Sequence, residues 1–270
     1  MALPTLPRRL TRLLTALTLG AGLATAAMPA LAQTQTPTAG LTAEQRKAVL
    51  GLIRETLLQN PELIQEALVE LERRNTVAQA EAQRSAVTAE MSRLIDPATS
   101  AIVGNPQGDV TIVEFMDYNC GFCKRAVEDV RVLAKEDPKL KIVIKDFPIL
   151  GPDSVEASRV AVAAMTQLTG ARYFEFHNKL MATKGRINGA KALEVAKEAG
   201  ADVERLKKDM DSAQTRAVIE STVALGDRLG LTGTPAFILG DEVVFGAVGT
   251  AVLKQKIESV RKCGKATCNG

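Results

Sequence analysis

An α/β domain with a mixed central sheet, preceded by an α-helical segment, is the fold class this sequence predicts. Three observations carry it. Residues 110–119 form a β-type run that closes on Cys120-Gly121-Phe122-Cys123 and passes directly into a helix-compatible run at 124–134. A second strand-rich unit, 236–245, folds about a Gly240-Asp241 turn and is followed by a helical pattern at 250–261. Residues 42–90, by contrast, show only helical signals.

The chain opens with Arg8, Arg9 and Arg12 ahead of an apolar stretch at 13–27, and Ala30-Leu31-Ala32 offers a small-x-small cleavage site, so residues 1–32 read as a signal peptide. The Arg8-Arg9 pair lacks the strongly apolar residue two positions on that a twin-arginine signal would carry, which favours the general secretory route. No later segment approaches the roughly 20 apolar residues of a membrane span, so an exported, soluble chain is expected. The whole chain has 34 Lys+Arg against 31 Asp+Glu, and the three leader arginines account for the difference. A balanced mature chain gives no reason to expect nucleic acid as a partner. Its four cysteines, in an oxidising compartment, can make two disulfides.

Residues 33–40 are polar and breaker-rich and are expected to be a disordered leader. Thr42-Ala43-Glu44-Gln45 has the form of a capping box, so a helix should begin there, with Val49, Leu50, Ile53, Leu57 and Leu58 at helical spacing. Asn60-Pro61 breaks it and starts a second helix, lined by Leu63, Ile64, Ala67, Leu68 and Leu71. From 72 to 90 the sequence turns polar and Ala-rich without Gly or Pro, as an exposed helical stalk would. Each large apolar side chain here is worth roughly 1.5–3 kcal/mol when buried, and so short a segment can scarcely cover them alone. They must pack onto the rest of the chain or onto further copies of it. Asp96-Pro97 ends the stalk, so the domains are expected at 41–95 (helical oligomerisation segment and stalk), 96–262 (α/β domain) and 263–270 (tail). Within the α/β domain the expected order is a strand at 110–115, the helix after Cys120, a strand at 140–145, several helices between 154 and 229, strands at 236–239 and 242–245, and the final helix.

Strand, Cys-x-x-Cys and helix in that order have a thioredoxin-like form, although zinc sites use the same spacing. A thiol at a helix N-terminus gains from the dipole and the free N–H groups, which marks Cys120 as the nucleophile and Cys123 as the resolving thiol. Zinc would want a second ligand pair nearby, but the next cysteine is Cys263 and the single histidine is His177. His177 reads as a packed or half-exposed helix residue. Cys263 and Cys268 are close enough in sequence for a disulfide that staples the tail, with a relay dithiol or a soft-metal pair as the other readings.

Residues 113–124, then Val143-Ile144-Lys145-Asp146-Phe147-Pro148 and Gly233-Thr234-Pro235-Ala236-Phe237, resemble the DsbA-like branch of the thioredoxin superfamily. The helical segment, with Leu41-Thr42-Ala43-Glu44-Gln45 and Asn60-Pro61-Glu62-Leu63-Ile64, resembles the oligomerisation segment of the suppressor-of-copper-sensitivity C (ScsC) group. The resemblance implies a thioredoxin fold with a helical insertion. It also implies that Pro235 is the cis-proline facing the dithiol and that Thr234 before it tunes the thiols and substrate release. Glu114 falls where such proteins carry a buried acid beneath the dithiol, able to relay the resolving thiol's proton, with Lys145 on the neighbouring strand as a possible helper. The dipeptide Gly121-Phe122 differs from the Pro-His of strongly oxidising DsbA enzymes and is similar to the Gly-Tyr of DsbC isomerases, implying a milder oxidant.

The combined reading is a periplasmic thiol:disulfide interchange protein that isomerises or reduces disulfides of client proteins, without cofactor or metal. The resemblance implies a homo-oligomer, a trimer rather than a dimer, kept reduced by a DsbD-like or ScsB-like membrane thiol reductase. A monomeric DsbA-like oxidase is the alternative enzyme, and a periplasmic copper-binding or chaperone protein the alternative of another class.

Overall fold

The computed structural model describes residues 40–268. The expected signal peptide, and the expected leader up to residue 39, lie outside the described residues. The chain divides into two compact units, one ending at Ile64 and one beginning at Gln65.

In the first unit, helix α1 (Ala43–Gln59) opens with the reciprocal bonds of the capping box: the Gln45 N–H donates to Thr42 Oγ1 at 3.2 Å and the Thr42 N–H to Gln45 Oε1 at 2.9 Å. Asn60 closes α1, its backbone N–H and its side-chain amide both donating to Thr56 O at 2.9 Å, and its own carbonyl accepts the Leu63 N–H at 3.1 Å in the first turn of the next helix. Pro61 then precedes α2 (Glu62–Leu94). No residue of α1 is buried, and Leu50, Leu52 and Leu58 stand 65–71% exposed.

In the second unit, α2 reaches its C-terminal end with Val87, Glu90 and Leu94 buried. Val87 and Leu94 pack with Val113, Phe115, Val143, Phe147 and Leu225. The last turns of α2 therefore belong to the α/β core, and the boundary expected at 95/96 is corrected to an earlier one. Glu90 is fixed there by Arg228, whose Nε donates to Oε1 at 2.9 Å, and by Arg93 at 2.8 Å.

The sheet has the order β1-β3-β2-β4-β5, from β1 (Ala101–Gly104), β2 (Val110–Met116), β3 (Leu140–Asp146), β4 (Ala236–Leu239) and β5 (Glu242–Phe245). β2 and β3 run parallel, joined by α3 (Gly121–Glu136), and the other pairs are antiparallel. The edge strand β1 is not among the expected elements; it pairs antiparallel with β3 alone. Between β3 and β4 lie α4 (Pro152–Ala164), α5 (Ala171–Ala182), α6 (Gly189–Glu198), α7 (Val203–Asp209) and α8 (Ala213–Arg228). α9 (Thr250–Cys263) follows β5.

Residues of a strand alternate between the two faces, so the register sorts the core. Ile112, Met116, Ile142, Ile144, Phe237 and Leu239 face α3, which answers with Cys123, Ala126, Val130 and Leu133. Val113, Phe115, Val143, Ala236 and Ile238 face α2 and α8. Phe115 and Phe147 meet edge to face at 5.7 Å between ring centres on that second side. This is the thioredoxin-like α/β fold with a helical insertion, preceded by N-terminal helices. Among the described residues no helix is long and apolar enough to cross a membrane.

Candidate dithiol site

The apolar strand β2 runs through the centre of the sheet and stops at Met116, leaving Asp117-Tyr118-Asn119 to turn the chain into α3. Cys120 is the N-cap of that helix, in extended conformation, and its sulfur accepts the Cys123 N–H at 3.4 Å. Cys120 is 7% exposed and Cys123 0%, and neither is in a disulfide. Across from them the Thr234–Pro235 bond is cis, and the Thr234 carbonyl lies 3.2 Å from Cys120 Sγ. Pro235 O accepts the Gly246 N–H at 2.8 Å, which ties this loop to the end of β5.

These surroundings split the two thiols. Hydrogen bonding from the Cys123 side chain, then from Thr234 and from the N–H groups of Cys123 and Phe122, lowers Cys120 to about 5 against the cost of burial. Burial, then the hydrogen bond to Cys120 and the nearby Glu114, pushes Cys123 far up. At neutral pH the pair holds one thiolate, on the sulfur nearer to solvent. Phe122, in the middle of the motif, is 58% exposed, with the Arg125 guanidinium 4.1 Å from its ring centre.

Glu114 is 1% exposed on the α3 face of β2, and neither carboxyl oxygen has a hydrogen-bond partner. Burial first, then the charges of Asp129 and Cys120, raise it to about 8, so it is mostly protonated at neutral pH.

Lys145 does not join it. The parallel register pairs Lys145 with Phe115 and places it on the opposite face from Glu114 and the dithiol. There its Nζ donates to Arg93 O at 2.9 Å and to Thr99 Oγ1 at 3.0 Å, anchoring the C-terminal end of α2. The expected help to Glu114 is therefore corrected to a different position, one that burial makes less basic, at about 8.

His177 on α5 is fully buried, with Nδ1 3.3 Å from the Tyr118 hydroxyl, and burial lowers it to about 4. Cys263 and Cys268 are bonded, with Cα atoms 6.1 Å apart. Their loop lays Ala266 against the β4–β5 turn, where the Ala266 N–H reaches Asp241 Oδ1 at 3.2 Å. Gly240 takes φ +56° there, and a Cβ on it would come within 3.1 Å of Ala266 N.

The sequence reading missed the residues around the dithiol turn. Asp117, Asn119 and Ser154 are linked by bonds of 2.7–3.0 Å. The Asp-x-Asn spacing before Cys120, with the Asn119 N–H returning to Asp117 Oδ1, is an Asx-turn signal that could have pointed to them.

A thiolate at a helix N-terminus, a buried partner thiol, a carbonyl-lined cis-proline loop and a buried acid form a constellation able to exchange dithiol for disulfide. The chain matches the DSBA-like thioredoxin domain over residues 111–258 and belongs to that family. Residues 45–76 match the copper resistance protein ScsC N-terminal domain. A thioredoxin-like oxidoreductase from Silicibacter pomeroyi DSS-3 is similar at 39% identity, with 64% of this chain and 98% of that one covered and a TM-score of 0.60. A linker-deletion mutant of Proteus mirabilis ScsC is similar at 26% identity over 83% of this chain and 98% of that one, with a TM-score of 0.62. The probable thiol:disulfide interchange protein DsbC of Bordetella avium is 29% identical over 164 residues, 60% of this chain and 47% of that protein. The chain also matches Na(+)/H(+) antiporters from Salinispora and Mycolicibacterium, of whose length it spans about a quarter (25, 22 and 28%).

Proposed function

We propose that this chain is a periplasmic thiol:disulfide interchange protein that isomerises or reduces the disulfides of client proteins. The observation that carries the reading is the divided dithiol: one sulfur at about 5 and the other pushed far up, in a helix N-cap opposite Thr234–Pro235. The Cys120 thiolate attacks one sulfur of a client disulfide. A Cys120–client bond forms, the client S–S bond breaks, and the second client sulfur leaves as a thiolate. In isomerisation that thiolate attacks elsewhere in the client, and a client thiolate finally displaces Cys120. In reduction Cys123 attacks Cys120 Sγ, forming the Cys120–Cys123 disulfide and releasing the client thiol, and a membrane thiol reductase of the DsbD or ScsB kind returns two electrons.

Cys123 must lose its proton in that second step, and we assign its acceptance to Glu114, the buried acid whose charge acts on Cys123. Burial, then Asp129, keep Glu114 protonated, and while Cys120 is a thiolate its charge adds to them. Once Cys120 is in the mixed disulfide that charge is gone and the carboxyl ionises more easily. Thr234 and Pro235 supply the surface against which the client strand lies, and the exposed Phe122 adds an apolar contact.

The uncovered apolar face of α1 and the first turns of α2 supports self-association, a trimer by the ScsC resemblance, that brings several dithiols to one client. The test compares the mature chain with a variant beginning at Ala78. That start keeps Val87, Glu90 and Leu94, which one near Ile95 would remove from the core. The variant should be monomeric by light scattering, lose refolding of a scrambled client and keep reduction of a small disulfide. A mature chain that is monomeric at micromolar concentration, or a variant that isomerises equally well, overturns the oligomeric isomerase.

A further inference from the structure

Asp117 is 0% exposed and sits where the turn carrying the dithiol meets the helical insertion. Its backbone seats the first cysteine: the carbonyl accepts the Cys120 N–H at 3.0 Å. Its carboxylate is held by three neutral donors. Oδ1 accepts the Asn119 N–H at 2.8 Å and the Ser154 hydroxyl at 2.7 Å, and Oδ2 accepts the Leu150 N–H at 3.0 Å. Asn119 extends the clasp. Its Nδ2 donates to Ser154 Oγ at 3.0 Å and to Ile187 O at 2.8 Å, while its Oδ1 accepts the Ile187 N–H at 2.7 Å. Ser154, in the first turn of α4, is itself fully buried. One carboxylate thus ties the residues before Cys120 to the β3–α4 loop and to α4, and through Asn119 to the segment before α6.

We propose that Asp117 is a positioning residue for dithiol exchange, its carboxylate clasp fixing the turn whose carbonyl seats the Cys120 N–H at the start of α3. Resolution needs the two sulfurs held in attack geometry, and the clasp fixes the turn that seats Cys120 one helical turn from Cys123. The charge on the clasp makes each of its hydrogen bonds stronger than a neutral one, and the low-dielectric site makes a lost one costly. Without the clasp the turn loosens, Cys120 is no longer held at the N-cap position where its sulfur accepts the Cys123 N–H, and the dithiol state loses a hydrogen bond that the disulfide does not need.

The inference rests on the exchange chemistry of Cys120 and Cys123 proposed above, and holds whichever way electrons flow. The test uses the mature chain and its Asp117→Ala, Asp117→Asn and Ser154→Ala variants. Two quantities are measured: the equilibrium constant with glutathione, and the rate at which Cys123 resolves a preformed Cys120–glutathione disulfide. Asp117→Ala should move the equilibrium toward the Cys120–Cys123 disulfide and slow resolution, each about tenfold, and Ser154→Ala about threefold. Asp117→Asn keeps an acceptor for Asn119 and Ser154 but turns N–H against N–H at Leu150, so it should fall between wild type and Asp117→Ala. Folded variants that lose thermal stability yet stay within about twofold of wild type in both quantities would reduce Asp117 to a structural role and overturn the proposal. If Asp117→Ala does not fold, Asp117→Asn and Ser154→Ala decide on the same criterion. A wild-type chain that does not exchange with glutathione would overturn this proposal and the exchange reading together.

Discussion

Replacing Glu114 by Gln tests the buried acid through the pH dependence of stability. The carboxyl is fully buried with both oxygens unpartnered, and its value rises from 4.5 to about 8 on folding. Because the folded value lies above the unfolded one, the unfolded chain gives up this proton from pH 4.5 upward while the folded chain holds it. Stability is therefore lost progressively above pH 4.5, and the loss is complete only above about 8. At about 1.4 kcal/mol per pH unit, the cost reaches roughly 3 kcal/mol by pH 7. Gln has no proton to lose. It brings a fixed penalty for its own buried amide, so the slope with pH, and not the absolute stability, is diagnostic. Urea unfolding of both reduced proteins at pH 5, 6 and 7 should show the stability of Glu114→Gln relative to wild type rising by about 1 kcal/mol per pH unit. Parallel curves would refute the raised Glu114. The same variant should resolve mixed disulfides more slowly, since Cys123 loses its proton acceptor.

Other outcomes follow from packing. Leu94→Ala should destabilise the α/β unit by about 2–5 kcal/mol, as for a fully buried leucine, whereas Leu68→Ala, at a site 60% exposed, should leave that unit unchanged and weaken self-association on light scattering. Gly226→Ala would normally strengthen a helix, but its Cβ would lie 2.6 Å from the Phe147 ring, so thermal unfolding should show a net loss of about 1–3 kcal/mol. Replacing Cys263 and Cys268 together by Ser should lower stability by at most about 2 kcal/mol, because the closed loop is short, and leave disulfide exchange intact in a turnover assay. Loss of turnover with folding intact would instead make that pair an electron relay.

The features legible in the sequence were those written in local periodicity. β2 through β5 and α3 are legible as β-type runs, a tight turn at Gly240-Asp241 and a helix starting at a cysteine, and the capping box at Thr42 marks the start of α1. What stayed hidden depends on which residues meet. Lys145 lies on the strand next to β2, as expected, yet the register puts it on the far face, since a shift of one residue reverses the side of a sheet. The polar run at 72–90 reads as wholly exposed because Glu90 is charged, but Glu90 is buried beside Val87 and Leu94, paired with Arg93 and Arg228, whose own side chains stay 66% and 44% exposed. Asp117 gave only an Asx-turn hint, because two of its three donors, Leu150 and Ser154, lie more than 30 residues away and belong to the helical insertion.

The central claim is that Cys120 is a thiolate nucleophile at physiological pH and Cys123 its protected partner. Alkylation of the reduced mature chain by iodoacetamide across pH, with the modified residue identified by mass spectrometry, tests it most directly. Modification should fall on Cys120, with a rate half-maximal near pH 5 and flat at neutral pH, while Cys123 stays unmodified in the folded chain. A rate that keeps climbing toward pH 9, or label on Cys123 in place of Cys120, would contradict it.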